Sequence, residues 1–233
     1  MNTPTLIFRQ LFEATSSTYT YIIGCAVTRA AAIIDPVLET AERDAKLISQ
    51  LNLDLQLGLN THVHADHITG TAALAKLFPS MKSCLSDESG AKADRLLKHH
   101  EKLRIGNLEM KCSHTPGHTN GCSSFILNSE GLIFTGDALL IRGCGRTDFQ
   151  QGDAGRLYDS VWTEIFSLPD NYTIFPGHDY QGHMSTSVGE ERKLNPRLTL
   201  QKKEFVHLMN NLKLAYPKQI EKALPANLKN GEM

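Results

Sequence analysis

The segment His62-Val63-His64-Ala65-Asp66-His67 restricts the folding of this chain more than any other. It sets three histidines and an aspartate between the strand-like LDLQLGLN and the Ala/Leu-rich residues Thr71 to Phe78. Imidazole and carboxylate are first-choice ligands for zinc or iron. Side chains so close in sequence converge on one point only where the chain turns, because a regular strand sends alternate side chains to opposite faces. The segment therefore reads as a loop at the C-terminal end of a strand, followed by a helix over 71–78 that stops at Pro79. A solvated polar loop is the plain alternative for this segment taken alone. Three more potential ligands recur in the same context: His118 in TPGHTNG, Asp137 in FTGDALL and His178 in FPGHDYQG. Each ends or follows a β-type run and is directly preceded by a glycine, as a tight turn at a crowded centre requires. Taken together, four such loops demand a fold that gathers strand ends around one metal site.

The rest of the chain reads consistently with this. TYTYIIGCAV and AAIIDPV are β-type runs separated by Thr28 and Arg29, Glu39 to Leu51 has a helical apolar period, and LDLQLGLN returns to strand, a β-β-α-β opening. KLRIGNLEMKC predicts two strands about Gly106-Asn107, CSSFILN and GLIFTGDAL two more, and TIFPGHD another. Helices are expected over Arg156 to Leu168 and Thr199 to Leu212, and the remaining tail carries Pro217 and Pro225. Long β runs with interspersed helices, rather than strict alternation, predict an α/β (α+β) protein of two packed sheets with helices outside. The expected organisation is one domain over residues 1–233 with a short C-terminal helical appendix from about 195.

Composition narrows the partners. Lys plus Arg number 24 and Asp plus Glu 25, and the basic residues are dispersed, so the footprint of a nucleic-acid or membrane-surface binder is missing. No apolar run approaches the roughly 18 to 20 residues of a membrane span. A small-molecule partner is expected. The five cysteines at 25, 84, 112, 122 and 144 form no CxxC pair and cannot all pair within one chain, which points to free thiols in a reducing compartment. The start MNTPTLIFRQLFEA has no secretory leader pattern, and a cytoplasmic location is expected.

The pattern HxHxDH followed by a His, an Asp and a His resembles the metallo-β-lactamase superfamily, whose fold is an αββα sandwich. The segments RGCGRTDFQQG and NPRLTL, with THVHADHITG, SHTPGHTNGC and FPGHDYQG, narrow the resemblance to the persulfide dioxygenase family over nearly the whole chain. That resemblance implies a single Fe(II) held by His62, His118 and Asp137, with His64, Asp66, His67 and His178 orienting ligands and water around it. Two histidines and one carboxylate leave about three open positions, the arrangement of Fe(II) oxygenases. The resemblance also implies oxidation of glutathione persulfide with O2 and water to sulfite and glutathione, and a homodimer. Glutathione's carboxylates call for cationic or phenolic donors, and Arg142, Arg146, Tyr180 and Arg197 lie in or beside the family-like segments. Each of the four can equally be a structural residue. Because dinuclear hydrolases of the superfamily fill the same ligand positions with two metals, a glyoxalase II-like thioester hydrolase is the alternative.

Overall fold

The computed structural model describes residues 6–232; the first five residues, part of the stretch read for a leader, lie outside them. The chain runs β1 (Leu6–Glu13), β2 (Thr18–Cys25), β3 (Ala30–Ile34), α1 (Ala41–Gln50), β4 (Asp54–Leu59), α2 (Thr71–Leu77), β5 (Lys82–Ser86) and β6 (Arg95–Leu97). It continues through β7 (Lys102–Ile105), β8 (Leu108–His114), β9 (Ser123–Leu127), β10 (Leu132–Gly136) and α3 (Ala154–Ser160), which passes into a π-helical turn at Val161–Ile165. Then come β11 (Thr173–Pro176), β12 (Thr186–Ser187), α4 (Val188–Leu194), α5 (Lys202–Asn210) and α6 (Ile220–Asn227).

The strands form two six-stranded mixed sheets, in the orders β1-β2-β3-β4-β5-β6 and β12-β11-β10-β9-β8-β7. The pleat explains why β2 and β3 read as unbroken apolar runs. Tyr21, Ile23, Ala32 and Ile34 point between the sheets, where they meet Met110, Phe125 and Phe134. Their neighbours Ile22, Ala31 and Ile33 point outward beneath Ile48 of α1 and Leu74 of α2. A strand buried on both faces needs apolar residues at every position. On the far side, Leu157, Val161 and Phe205 from α3, the π-helical turn and α5 cover Ile126, Ile133 and Ile174. The layers are therefore helix, sheet, sheet, helix.

Three differences from the sequence reading have physical reasons. The opening has three strands, not two: β1, LIFRQLFE, is a half-buried edge strand paired antiparallel with β2 from Leu6↔Cys25 to Glu13↔Thr18, and its Arg9 and Gln10 mask the pattern. The short parallel strands β5 and β6 have too few residues to show a period. α4, over VGEERKL, is a mostly charged two-turn helix capped by the Ser187 side chain. The C-terminal segment from about 195 carries α5 within the helix expected over 199–212 and a further helix, α6, and it packs on the sandwich. Leu198, Phe205 and Met209 are buried against α3, and α6 forms despite Pro225 inside it. Among the described residues no helix is long and apolar enough to cross a membrane.

Candidate metal centre

The ligand-bearing loops all emerge at one end of the sandwich, after β4, β8, β10 and β11, and backbone bonds tie the two sheets together there. The Ser123 N–H donates to the Thr61 carbonyl at 2.8 Å, and the Tyr19 N–H to the Gly177 carbonyl at 2.9 Å. The crowding is extreme enough to require glycine at two turns. Gly117 has φ 136° and Gly136 φ 50°; a Cβ on the first would lie 2.3 Å from the Leu157 backbone, and one on the second 2.5 Å from Thr61 Oγ1.

Two clusters result. One ligand atom each from His62, His118 and Asp137 lies within 4.8 Å of the others, and the same holds for His64, Asp66 and His178. In the first cluster, neighbouring groups fix which ring nitrogen is free. His118 Nδ1–H donates to the Arg146 carbonyl at 2.7 Å, leaving the Nε2 lone pair 3.6 Å from Asp137 Oδ2. The Thr61 hydroxyl donates to Asp35 Oδ2 at 2.8 Å, so at 3.0 Å it accepts from His62 Nδ1–H and again leaves Nε2 free. This is the outer-shell arrangement that metal-bound histidines use. Burial, and then the neighbouring rings of His64 and His118, hold His62 well below the ordinary histidine range, so it is neutral and able to ligate.

The second cluster is arranged around carboxylates. His64 Nε2 contacts Asp35 Oδ1 at 3.0 Å; burial opposes its protonation, but Asp35 outweighs that and raises its pKa. His178 Nε2 stands 3.5 Å from both Asp66 Oδ2 and Asp137 Oδ1, and its Nδ1 faces the Ser17 carbonyl at 3.3 Å. His67 belongs to neither cluster: its Nδ1 contacts Asp66 Oδ2 at 3.1 Å. Three buried polar atoms here have no hydrogen-bond partner, namely His64 Nδ1, His67 Nε2 and Asp137 Oδ1. Buried polar groups are nearly always paired. Unpaired lone pairs on imidazole and carboxylate fit a cation and its bound water, so the donor set suits a metal.

Three residues that hold this site escaped the sequence reading. Asp35, buried at the end of β3, accepts from the Thr61 N–H at 2.7 Å and the Thr61 hydroxyl, and contacts His64. A charged residue closing an apolar run before Pro36 was a usable signal for it. Thr61 was hidden by its neighbour, His62. Asn227, at the end of α6, donates to the carbonyls of His64 and His67, both at 2.8 Å, and accepts from the Thr69 N–H at 2.9 Å. It clamps the loop from 158 residues away, and no local pattern marks it.

Beside the clusters opens a cavity of about 530 Å³ lined by His118, Asp137, Arg142, Arg146, Tyr180 and Arg197 among others. All four expected substrate contacts therefore reach its wall, in different states. Arg142 is ion-paired with Glu190 and Glu191, the latter buried. Arg146 grips Asp148 through two bonds of 2.7 Å, donates to the Ala215 carbonyl at 2.8 Å and lies over the Phe149 ring. Arg197 uses only Nη1, toward the Cys144 carbonyl at 3.2 Å and the sulfurs beside it. Tyr180 stacks on His178 at 6.1 Å and is 73% exposed. Cys144 and Cys122, like the other three cysteines, are free and buried.

Comparison with known proteins gives a consistent result. The family profile described as Metallo-beta-lactamase superfamily matches residues 15–178. A Mus musculus protein named persulfide dioxygenase ETHE1, mitochondrial, is 53% identical over 226 residues, covering 97% of this chain and 89% of its own. The crystal structure of ETHE1 from Myxococcus xanthus superposes with a TM-score of 0.93 at 47% identity, over 97% of this chain and 99% of that one. A probable hydroxyacylglutathione hydrolase of Schizosaccharomyces pombe is 38% identical over 73% of this chain and 67% of its own length.

Proposed function

The chain belongs to the persulfide dioxygenase family of the metallo-β-lactamase superfamily, and from that premise we propose that it oxidises glutathione persulfide with O2 and water to sulfite and glutathione. The likeness to persulfide dioxygenases along 97% of the chain carries this reading. We assign a single Fe(II) to His62, His118 and Asp137, a two-histidine, one-carboxylate set that leaves coordination positions open. Fe(II) bound there would supply the redox chemistry toward dioxygen that zinc lacks.

The chain's own residues do the rest. Arg146, through its carbonyl, and Thr61, through its hydroxyl, keep the His118 and His62 tautomers correct. Asp35 and Asn227 hold the 61–69 backbone in place, so the His62 ring is preset toward the metal position. In this reading Asp66 and His178, which line the cavity, orient the reacting sulfur and water, with His64 and His67 behind them against Asp35 and Asp66. At the cavity wall Tyr180 and Arg197 are the donors most available for glutathione's polar ends. Arg146 reaches them by exchanging Asp148, and Arg142 by giving up Glu190.

One observation favours a dinuclear hydrolase, namely the second cluster of His64, Asp66 and His178. Against it stands the more distant hydrolase relative, matched over a smaller share of the chain. Elemental analysis of anaerobically purified protein, followed by oxygen-electrode assay with glutathione persulfide, separates the two. One iron per chain with oxygen uptake supports the dioxygenase. Two metals, with hydrolysis of an S-acylglutathione and no oxygen uptake, overturn it. The same reading includes a cytoplasmic homodimer with reduced thiols, checked by cell fractionation and sedimentation.

A further inference from the structure

Away from the central site, the described residues bring two imidazoles and a carboxylate together once more, at His99, His100 and Glu164. Both histidines lie in the turn between β6 and β7, and Glu164 lies on the π-helical turn after α3. The turn is pinned to β8: the His100 N–H donates to the Cys112 carbonyl at 2.7 Å and the Cys112 N–H to the Glu101 carbonyl at 2.8 Å. His100 adopts a left-handed φ of 63°. Adjacent side chains ordinarily diverge, but in this turn the two rings lie only 3.6 Å apart between centroids.

Glu164 faces both rings. Its Oε2 is 3.0 Å from His100 Nε2, its Oε1 is 3.7 Å from His99 Nε2, and Ser113 Oγ donates to it at 2.9 Å. Tetrahedral zinc, with ligands at about 2.0–2.1 Å, separates its ligand atoms by about 3.3 Å, a value between the two observed spacings. We propose that His99, His100 and Glu164 form a second, surface site for a divalent transition cation of the zinc class, with water completing its coordination.

The protonation states suit ligation. Burial, and then the adjacent His100, hold His99 below the ordinary histidine range. Burial would raise Glu164, but hydrogen bonds from His100 and Ser113 outweigh it and keep the carboxylate ionised. Binding has a definite local cost. His99 Nδ1 accepts the His114 N–H at 3.0 Å, so the neutral ring carries its proton on Nε2. Ligation through Nε2 moves that proton to Nδ1 and breaks the bond from His114. The proton on His100 Nε2 likewise moves to Nδ1, so neither neutral ring releases a proton overall. The His114 amide is thus a reporter that a nonspecific ion would leave untouched. The proposal does not depend on the persulfide reading, since none of these residues lines the central cavity.

The test titrates Zn²⁺ into iron-loaded enzyme by calorimetry while following the His114 amide by ¹⁵N NMR. Wild type is compared with His100→Asn, which tolerates the left-handed φ, and with Glu164→Gln, which keeps an acceptor for Ser113. The expected result is one zinc equivalent in wild type that binds about tenfold or more weakly in either variant, since even outer-shell partners are worth 10- to 100-fold. At a zinc concentration that fills wild type but not the variants, the His114 amide should shift in wild type alone. Zinc taken up at the central clusters is common to all three proteins and cancels. Equal stoichiometry and affinity in all three, or a stationary His114 amide, overturns the site. Two variants with different effects on the fold keep loss of zinc distinct from misfolding.

Discussion

The central cluster of His62, His118 and Asp137 and the surface cluster of His99, His100 and Glu164 use the same kinds of donor and differ in what occupies the second nitrogen of each ring. At the centre, both Nδ1–H groups are engaged from behind, by the Thr61 hydroxyl and the Arg146 carbonyl, so both Nε2 lone pairs face the metal position. At the surface, both Nε2–H groups point at the Glu164 carboxylate itself. The surface donors are spent on each other until a cation drives each proton from Nε2 to Nδ1. The central histidines are nearly fully buried, whereas the side chains of His99 and His100 are 42% and 50% exposed. The same donor types thus stand at two levels of readiness: preset tautomers and exclusion of water prepare the central set, whereas the surface set must first rearrange its protons.

The widest expected gap between the two regions comes from removing one imidazole from each. His62→Ala should lose iron and bring oxygen uptake with glutathione persulfide to background. His100→Asn should leave the rate per iron unchanged and shift stability by no more than about 0.5 kcal/mol, as surface substitutions usually do. Iron analysis, an oxygen electrode and thermal melting read both, and full iron retention by His62→Ala would break the comparison at its root.

Asn227→Ala asks how far the centre depends on its scaffold. It strands the Thr69 N–H and two loop carbonyls, a cost on the order of 3 kcal/mol and roughly 6 to 12 °C in melting temperature for a chain of this size. A melt unchanged from wild type would mean that the loop holds itself.

Asp35→Asn isolates the tautomer argument, because it keeps the shape while placing an N–H where an acceptor is needed. It should lower iron affinity or activity by about 10- to 100-fold, the usual worth of an outer-shell partner. Chelator competition and rates per iron measure it, and wild-type affinity would shift the credit from tautomers to burial.

The smallest expected effect is on substrate selection. Arg197→Ala should raise KM for glutathione persulfide about tenfold, the worth of one charge-assisted contact, with little effect on a small uncharged alkyl persulfide at equal iron occupancy. Equal losses on both substrates would assign Arg197 to holding the Cys144 carbonyl rather than to glutathione.

The sequence by itself determined the sandwich and the donors. Two-sided burial in β2 and β3, the helical period of α1 and the glycine before His118, Asp137 and His178 are local patterns, written in spacings of a few residues. Tertiary structure decided how the donors divide into two clusters, which ring nitrogen each histidine presents, and that Arg142 and Arg146 arrive at the cavity already paired. It also decided the parts played by Asp35 and Asn227, and it brought Glu164 to His99 and His100 across more than sixty positions. The reason is physical. Apolar burial is non-directional and repeats with the backbone period, so it is legible along the chain. A hydrogen bond or ligand contact needs a partner within about 3 Å at a defined angle, and only the folded chain brings those partners together.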